Sequence, residues 1–228
     1  MPALPFDVVA FDLDGTLADT APDLAAALNH ALAALGRPDV APEEVRHLVG
    51  HGARALLRRG LEASGGAPEE LVDAGFPIFI HHYGANICRG TRPYPGIEEA
   101  LDALRDRGVK LAVCTNKPER LTHRLLEALG WSARFDAVVG GDTLPVRKPD
   151  PAPLFEAIAR AGGGRAAFVG DSITDADTAK AAGLPFVAVS FGFLDRPVEQ
   201  LGADAVIDHF QELLPALSRL AEAHCPGR

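Results

Sequence analysis

From residue 97 onward, short apolar runs alternate with stretches patterned at helical spacing, and few architectures accept that order. Residues 109–114, 135–139, 166–169, 186–189 and 205–207 read as strands, each too short for a stable helix. Between and after them, residues 97–104, 118–129, 153–161, 175–182 and 210–223 carry helical patterns, two of them closed by Gly108 and Gly130. One more apolar run, Val8-Val9-Ala10-Phe11, stands near the N-terminus and reads as a strand buried on both faces. Strands that alternate with helices pair in parallel, because each helix is the crossover that returns the chain to the same edge. The expected fold is α/β, a doubly wound, Rossmann-like parallel sheet with helices on both faces.

The chain between the first strand and residue 93 has a different character. Leu24, Leu28, Leu32 and Leu35 recur at helical spacing and stop at Gly36. Pro42-Glu43-Glu44 opens a second helix, with proline and acids in its first turn. Gly50-His51-Gly52 interrupts it, and Ala53, Leu56, Leu57 and Leu61 make a third that ends at Ser64-Gly65-Gly66. A fourth, from Pro68 to about Asn86, carries Leu71, Val72, Phe76, Phe79 and Tyr83, with Pro77 expected to bend or divide it. No strand is legible here. Residues 20–92 are therefore expected to form an all-helical cap domain inserted into a core made of 1–19 and 93–228, and the apolar rows of the cap are read as packing.

A chain of 228 residues has ample length for such a core, and 47% hydrophobic with 23% charged residues is ordinary globular composition. The net charge of -9 and the lack of any basic run give no electrostatic footprint for nucleic acid. Cys88, Cys114 and Cys225 are far apart and odd in number, so neither a disulfide framework nor a zinc pattern follows. No apolar run approaches membrane-spanning length, and the first residues show no basic region followed by a long apolar segment. A cytoplasmic protein without membrane or nucleic-acid partners, monomeric or homodimeric, is expected.

In a doubly wound sheet, ligands bind beyond the carboxyl ends of the strands. Asp12 follows the first strand and Asp14 stands two residues on, ahead of Gly15-Thr16. Thr115 and Asn116 follow the strand 109–114, Asp171 follows 166–169, and Asp175 is four residues further. Lys148 lies in the loop after 135–139. Two carboxylates as close as Asp12 and Asp14 ask for a divalent cation, an acid/base pair, or both, unless they only cap the next helix. A cap explains any one of these residues. It does not explain a set of carboxylates, a hydroxyl and an ammonium gathered from four segments onto one rim.

Those residues fall into four stretches, Asp12-Leu13-Asp14-Gly15-Thr16, Thr115-Asn116, Lys148-Pro149 and Gly170-Asp171-Ser172-Ile173-Thr174-Asp175, which resemble the four ordered motifs of the haloacid dehalogenase superfamily, mostly phosphatases. More narrowly, Thr115-Asn116-Lys117-Pro118, the run from Lys148 to Leu154 and Val49-Gly50-His51-Gly52-Ala53 are similar to the bacterial phosphoglycolate phosphatases. The resemblance implies a phosphate-ester hydrolase acting on a small phosphorylated metabolite. It implies Asp12 as nucleophile, attacking phosphorus to form an aspartyl-phosphate, and Asp14 as general acid and base. It also implies Mg²⁺ held by Asp12, the main-chain carbonyl of Asp14, and Asp171, with Asp175 beside or on the metal. Thr115, the Asn116 backbone and Lys148 would hold the phosphoryl oxygens, and Thr16 would orient Asp14.

Substrate choice is expected from the cap. Gly50, His51 and Gly52 form a loop that permits close backbone approach, and Arg54 is the candidate to pair with a small carboxylate, against the plainer reading of a solvated helix residue. Between Thr20 and Pro95 there are arginines but no lysine, which closes the Schiff-base route of the superfamily's phosphonate hydrolases. Leu24 stands where the sugar phosphomutases of the superfamily carry a cap histidine. Amino-sugar phosphates and pyrophosphate remain as alternative substrates. A phospho-accepting signalling domain is the alternative from another class, and a catalytically silent interaction protein a third.

Overall fold

The computed structural model describes residues 4–223, so Cys225 lies outside the described residues. Six strands form one sheet: β1 (Val8–Phe11), β4 (Lys110–Cys114), β5 (Ala137–Val139), β6 (Ala166–Gly170), β7 (Phe186–Val189) and β8 (Ala205–Ile207). Their order is β5-β4-β1-β6-β7-β8 and every pairing is parallel. The first strand in sequence thus lies at the centre, between β4 and β6, as a switch of winding direction requires. Helices α5 (Ile97–Arg105), α6 (Glu119–Ala128), α7 (Ala152–Arg160), α8 (Ile173–Ala182) and α9 (Leu213–Ala223) make the crossovers and the closing element.

The alternation of side chains along β1 divides the interior in two. Val9 and Phe11 join Leu111, Val113, Ala167 and Val169 on one face, while Val8 and Ala10 join Ala112, Cys114 and Phe168 on the other. All four β1 residues are fully buried, which is why the run reads apolar throughout rather than alternating.

Between Asp19 and Arg92 the chain forms α1 (Ala21–Ala34), α2 (Pro42–Arg46), α3 (Ala53–Ala63) and α4 (Glu69–Ala85). At both ends of this helical block, β2 (Ala18–Asp19) and β3 (Arg92–Pro93) pair antiparallel, so Asp19 faces Arg92 where the chain leaves and returns. Leu24, Leu28, Leu57, Phe79 and Tyr83 are buried in the same apolar cluster as Phe11, Leu13 and Leu17. Two expectations change. The second helix closes at Arg46 rather than reaching Gly50, and α4 runs unbroken through Pro77. A proline costs its own N–H bond and crowds the preceding turn, but packing along one face of a 17-residue helix holds the rest.

Candidate active site

Register brings the predicted residues together. Phe11 is level with Val113 and Val169, so the residues that follow β1, β4 and β6 emerge at one edge of the sheet. The Asp12 amide donates to the Val169 carbonyl at 2.9 Å, which keeps Asp12 beside Asp171 although 159 positions separate them. Asp175 lies in the first turn of α8, where the Ser172 side chain accepts from its backbone N–H and the Asp175 carboxylate accepts from Ser172 in return. Asp12, Asp171 and Asp175 offer carboxylate oxygens within 4.8 Å of one another, all of them buried.

Lys148 enters this cluster from the loop between β5 and α7. Its Nζ donates to Asp175 Oδ1 at 2.6 Å and lies 3.0 Å from Asp12 Oδ1. Asp175 is thereby saturated, because its Oδ2 accepts from the Asp171 and Ser172 amides and from Ser172 Oγ. A carboxylate so engaged orients its neighbours more readily than it ligates, which moves Asp175 to the edge of the expected metal set. Asp171 accepts from Thr16 Oγ1 at 2.8 Å and from the Phe193 amide at 2.7 Å, one bond on each oxygen. Thr16 therefore orients Asp171, not Asp14 as the resemblance implied. Gly15 (φ +85°) makes that turn possible, and a Cβ there would sit 2.2 Å from Asp171 Oδ2.

The electrostatics of the cluster are unbalanced. Burial pushes the Asp12 carboxyl up to about 6, with Asp175 and Asp14 adding to the rise and Lys148 opposing it. Burial, then Asp175 and Asp12, push Asp171 well above the usual carboxylate range. Burial alone would lower the Lys148 ammonium, but Asp12 and Asp175 outweigh it and hold it above the usual lysine range. Asp12 Oδ1 is buried, and although Lys148 is near, no donor addresses it with hydrogen-bonding geometry. Hard oxygen donors, an orphaned carboxylate oxygen and uncompensated negative charge are what a divalent cation satisfies. The residues fit one.

Asp14 belongs to a second group that sequence reasoning missed. Its Oδ1 and Oδ2 accept from Lys117 Nζ at 2.7 and 2.9 Å, and Oδ1 also accepts from Thr20 Oγ1 at 2.7 Å. Lys117 is buried and its ammonium lies 4.6 Å from the centre of the Tyr83 ring. The run Thr115-Asn116-Lys117 was the available signal, since its third residue follows the same strand tip as the first two.

Asp12, Asp14, Thr115, Asn116 and Lys117 form the floor of a pocket with about 450 Å³ of empty space, in part open to solvent. Its walls come from the helical block: Leu24, Val49, Gly50, Gly52, Ala53, Leu56, Phe79 and Tyr83. The loop before α3 is tied to the sheet edge. Asn116 Nδ2 donates to the carbonyls of Gly50 and Lys148, at 3.3 and 3.1 Å, and His51 Nδ1 lies 3.2 Å from Thr174 Oγ1. Phe79 and Tyr83, expected as packing only, line the pocket as well. Arg54 does not reach it. Its guanidinium donates to Glu69 at 2.6 Å and to Asp73, on the exposed face of the helical block. Ala53 and Leu56 line the pocket, and one residue on from Ala53 a helix has turned by about 100°. Replacing Arg54 with Ala is expected to leave kcat and KM for phosphate esters unchanged within about twofold; a large rise in KM would return Arg54 to the site.

The sequence pattern of the haloacid dehalogenase-like hydrolases matches residues 6–183. The chain is 47% identical over 210 residues to the phosphoglycolate phosphatase of Agrobacterium fabrum, covering 91% of this chain and 90% of that one. It is 47% identical over 223 residues to the phosphoglycolate phosphatase of Caulobacter vibrioides, covering 96% and 93%. Among solved structures it is similar to that of a predicted phosphoglycolate phosphatase from Haemophilus somnus, with a TM-score of 0.87 at 34% identity over 92% of this chain and 97% of that one. It is also similar to CbbY from Rhodobacter sphaeroides in complex with phosphate, with a TM-score of 0.78 at 29% identity over 93% and 99%.

Proposed function

The chain belongs to the haloacid dehalogenase-like hydrolases and is a phosphomonoester hydrolase; on that premise we propose that it converts 2-phosphoglycolate and water to glycolate and phosphate, through a phosphorylated Asp12. The observation that carries this reading is the gathering of Asp12, Asp171, Asp175 and Lys148 at one sheet edge, beneath a small pocket roofed by helices. The names of the relatives, similar along more than nine-tenths of the chain, support the substrate. In this reading residues 20–92 are the cap and 1–19 with 93–228 the core. The free thiols of Cys88 and Cys114 suit a reducing compartment, the cytoplasm.

Asp12 attacks phosphorus, a bond forms between its carboxylate oxygen and the phosphoryl group, and the ester oxygen leaves with the bonding pair. Asp14, across the pocket floor, gives that oxygen its proton and later takes one from the water that hydrolyses the phosphoaspartate. Thr115, the Asn116 backbone and Lys148 hold the three non-bridging oxygens, where most catalysis of phosphoryl transfer resides. Asp12, the Asp14 carbonyl and Asp171 would hold Mg²⁺, with Asp175 fixing Lys148 and the backbone around Asp171. Bound there, the ion supplies neutralisation of the dianionic phosphate so that a carboxylate can approach it.

Chelation is expected to abolish hydrolysis of a panel of phosphate esters, and Mg²⁺ to restore it, with 2-phosphoglycolate giving the highest kcat/KM. Mg²⁺ at a hundredfold excess over its dissociation constant should raise stability by about 2.7 kcal/mol, and so the melting temperature by roughly 5–10 °C. Asp171→Asn should lose most of that rise. Full activity in chelator would remove the metal from this reading, and a different preferred ester would remove the substrate.

A further inference from the structure

We propose that Lys117, together with the Tyr83 hydroxyl, is the subsite that receives the anionic tail of the substrate, a carboxylate at the end remote from the phosphoryl group. The inference rests on the reading of the pocket as a phosphatase site and deepens it.

The pocket lining decides which part of a ligand can go where. Leu24, Val49, Leu56, Phe79 and Leu121 offer only apolar surface, and Asp12 and Asp14 repel an anion. Among the described residues that line it, Lys117 is the one cation. Arg54, paired with Glu69 and Asp73, and Arg46, paired with Asp19, do not line the pocket, and Lys148, beside Asp12 and Asp175, is the cation assigned to the phosphoryl oxygens. An anion entering an apolar pocket needs a cation or a donor to replace its water. An ammonium has three protons, and Asp14 takes two directions at 2.7 and 2.9 Å, leaving one.

Tyr83 supplies the second observation. It is 1% exposed, forms part of the pocket wall, and its hydroxyl is buried without any hydrogen-bond partner. Burial and the nearby Asp14 keep that hydroxyl protonated, so it is available as a donor. A buried hydroxyl left unpaired is rarely tolerated without a reason, and an acceptor supplied by the ligand is one. The centre of the ring lies 4.6 Å from the Lys117 ammonium, and both residues line the same pocket. Lys117 is in turn bonded to Asp14, two residues from Asp12. The phosphoryl group and the carboxylate would therefore lie close together, which suits an ester with a very short carbon chain and leaves only apolar wall for a polyhydroxylated one.

The test compares two esters within each variant: 2-phosphoglycolate and ethyl phosphate, which has a methyl group where the first has a carboxylate. Wild-type protein with Mg²⁺ should prefer the acid. In Lys117→Met the ratio of the two kcat/KM values should fall by about 100-fold, the loss expected on removing one partner of a buried charge pair. Lys117→Arg should keep most of the ratio, and Tyr83→Phe should lower it by about 5- to 10-fold. A lysine that only held Asp14 in place would depress both esters equally and leave the ratio intact, which overturns the proposal. So does wild-type protein that hydrolyses both esters without preference, or loss of the preference in Arg54→Ala or in a variant of Arg147, whose guanidinium approaches Gly52 at the rim. Should Lys117→Met fail to fold, the ratio in Tyr83→Phe decides alone. Wild-type protein inactive on every phosphate ester would instead defeat the phosphatase reading itself.

Discussion

Asp12→Asn is expected to lower turnover by about 10⁴-fold or more while making the metal-free protein more stable at neutral pH. The first half follows from the proposed chemistry, since an amide nitrogen or oxygen is a far weaker nucleophile toward phosphorus than a carboxylate. The second follows from the environment. The folded protein raises the Asp12 carboxyl from 3.8 to about 6, chiefly by burial. The native state therefore binds that proton more tightly than the unfolded chain does, and stability from this group is greatest below pH 4. It is lost as pH rises from about 4 to about 6, and stays lost above. At roughly 1.4 kcal/mol for each pKa unit the loss is about 3 kcal/mol. Asparagine is the neutral isostere, so in chelator the variant should melt near the wild type at pH 4. At pH 8 it should melt about 5–10 °C above the wild type. A variant that still turns over takes Asp12 out of the reaction. A melting difference that shrinks as pH rises contradicts the electrostatics.

The same carboxylate marks what the sequence could and could not disclose. Asp12, Thr115 and Asp171 were legible because each directly follows an apolar strand, and in a parallel sheet all strand ends of one sense share an edge. The bond from Thr16 to Asp171 was not legible, because nothing in the order of residues shows which acid a turn will bring to a hydroxyl. The left-handed backbone at Gly15 turns Thr16 toward Asp171, which follows β6 and lies 155 positions away. Lys117 went unassigned for a related reason. Its bond to Asp14 spans 103 positions and exists only because β4 pairs directly with β1. Arg54 shows the limit of reading a loop by its neighbours, since one helical step separates the pocket from a solvated face. Tyr83 shows the limit of periodicity. A row that is apolar at helical spacing packs as core, and here the core continues without a break into the pocket wall.

Removing the Lys148 ammonium, as in Lys148→Met, should cost more stability than any other single change at this edge. Its side chain is 1% exposed, and it is the cation that opposes burial at Asp12 and bonds Asp175. Without it two buried carboxylates face each other and Asp171 with nothing between them, and breaking a buried pair in this way typically costs about 3–5 kcal/mol. Methionine fills nearly the same volume beside Phe168, so the loss is of charge rather than of packing. The direction with pH follows from the same argument as for Asp12. Withdrawing the Lys148 charge, which lowers the Asp12 carboxyl more than the Leu13 backbone hydrogen bond does, lets it climb beyond about 6, so the penalty keeps growing to a higher pH than in the wild type. Turnover should fall by about 10³-fold, the scale on which removal of a preorganised donor acts. Two further measurements separate this from general damage. Adding Asp175→Asn should recover part of the lost stability and none of the turnover. The Lys148→Met protein should also bind Mg²⁺ more tightly than the wild type, because the site has lost a competing positive charge, and its melting temperature should rise more steeply with added Mg²⁺. Lys148→Met protein that melts with the wild type across this pH range, and responds to Mg²⁺ no differently, would mean that the ammonium does not carry the charge balance of the site.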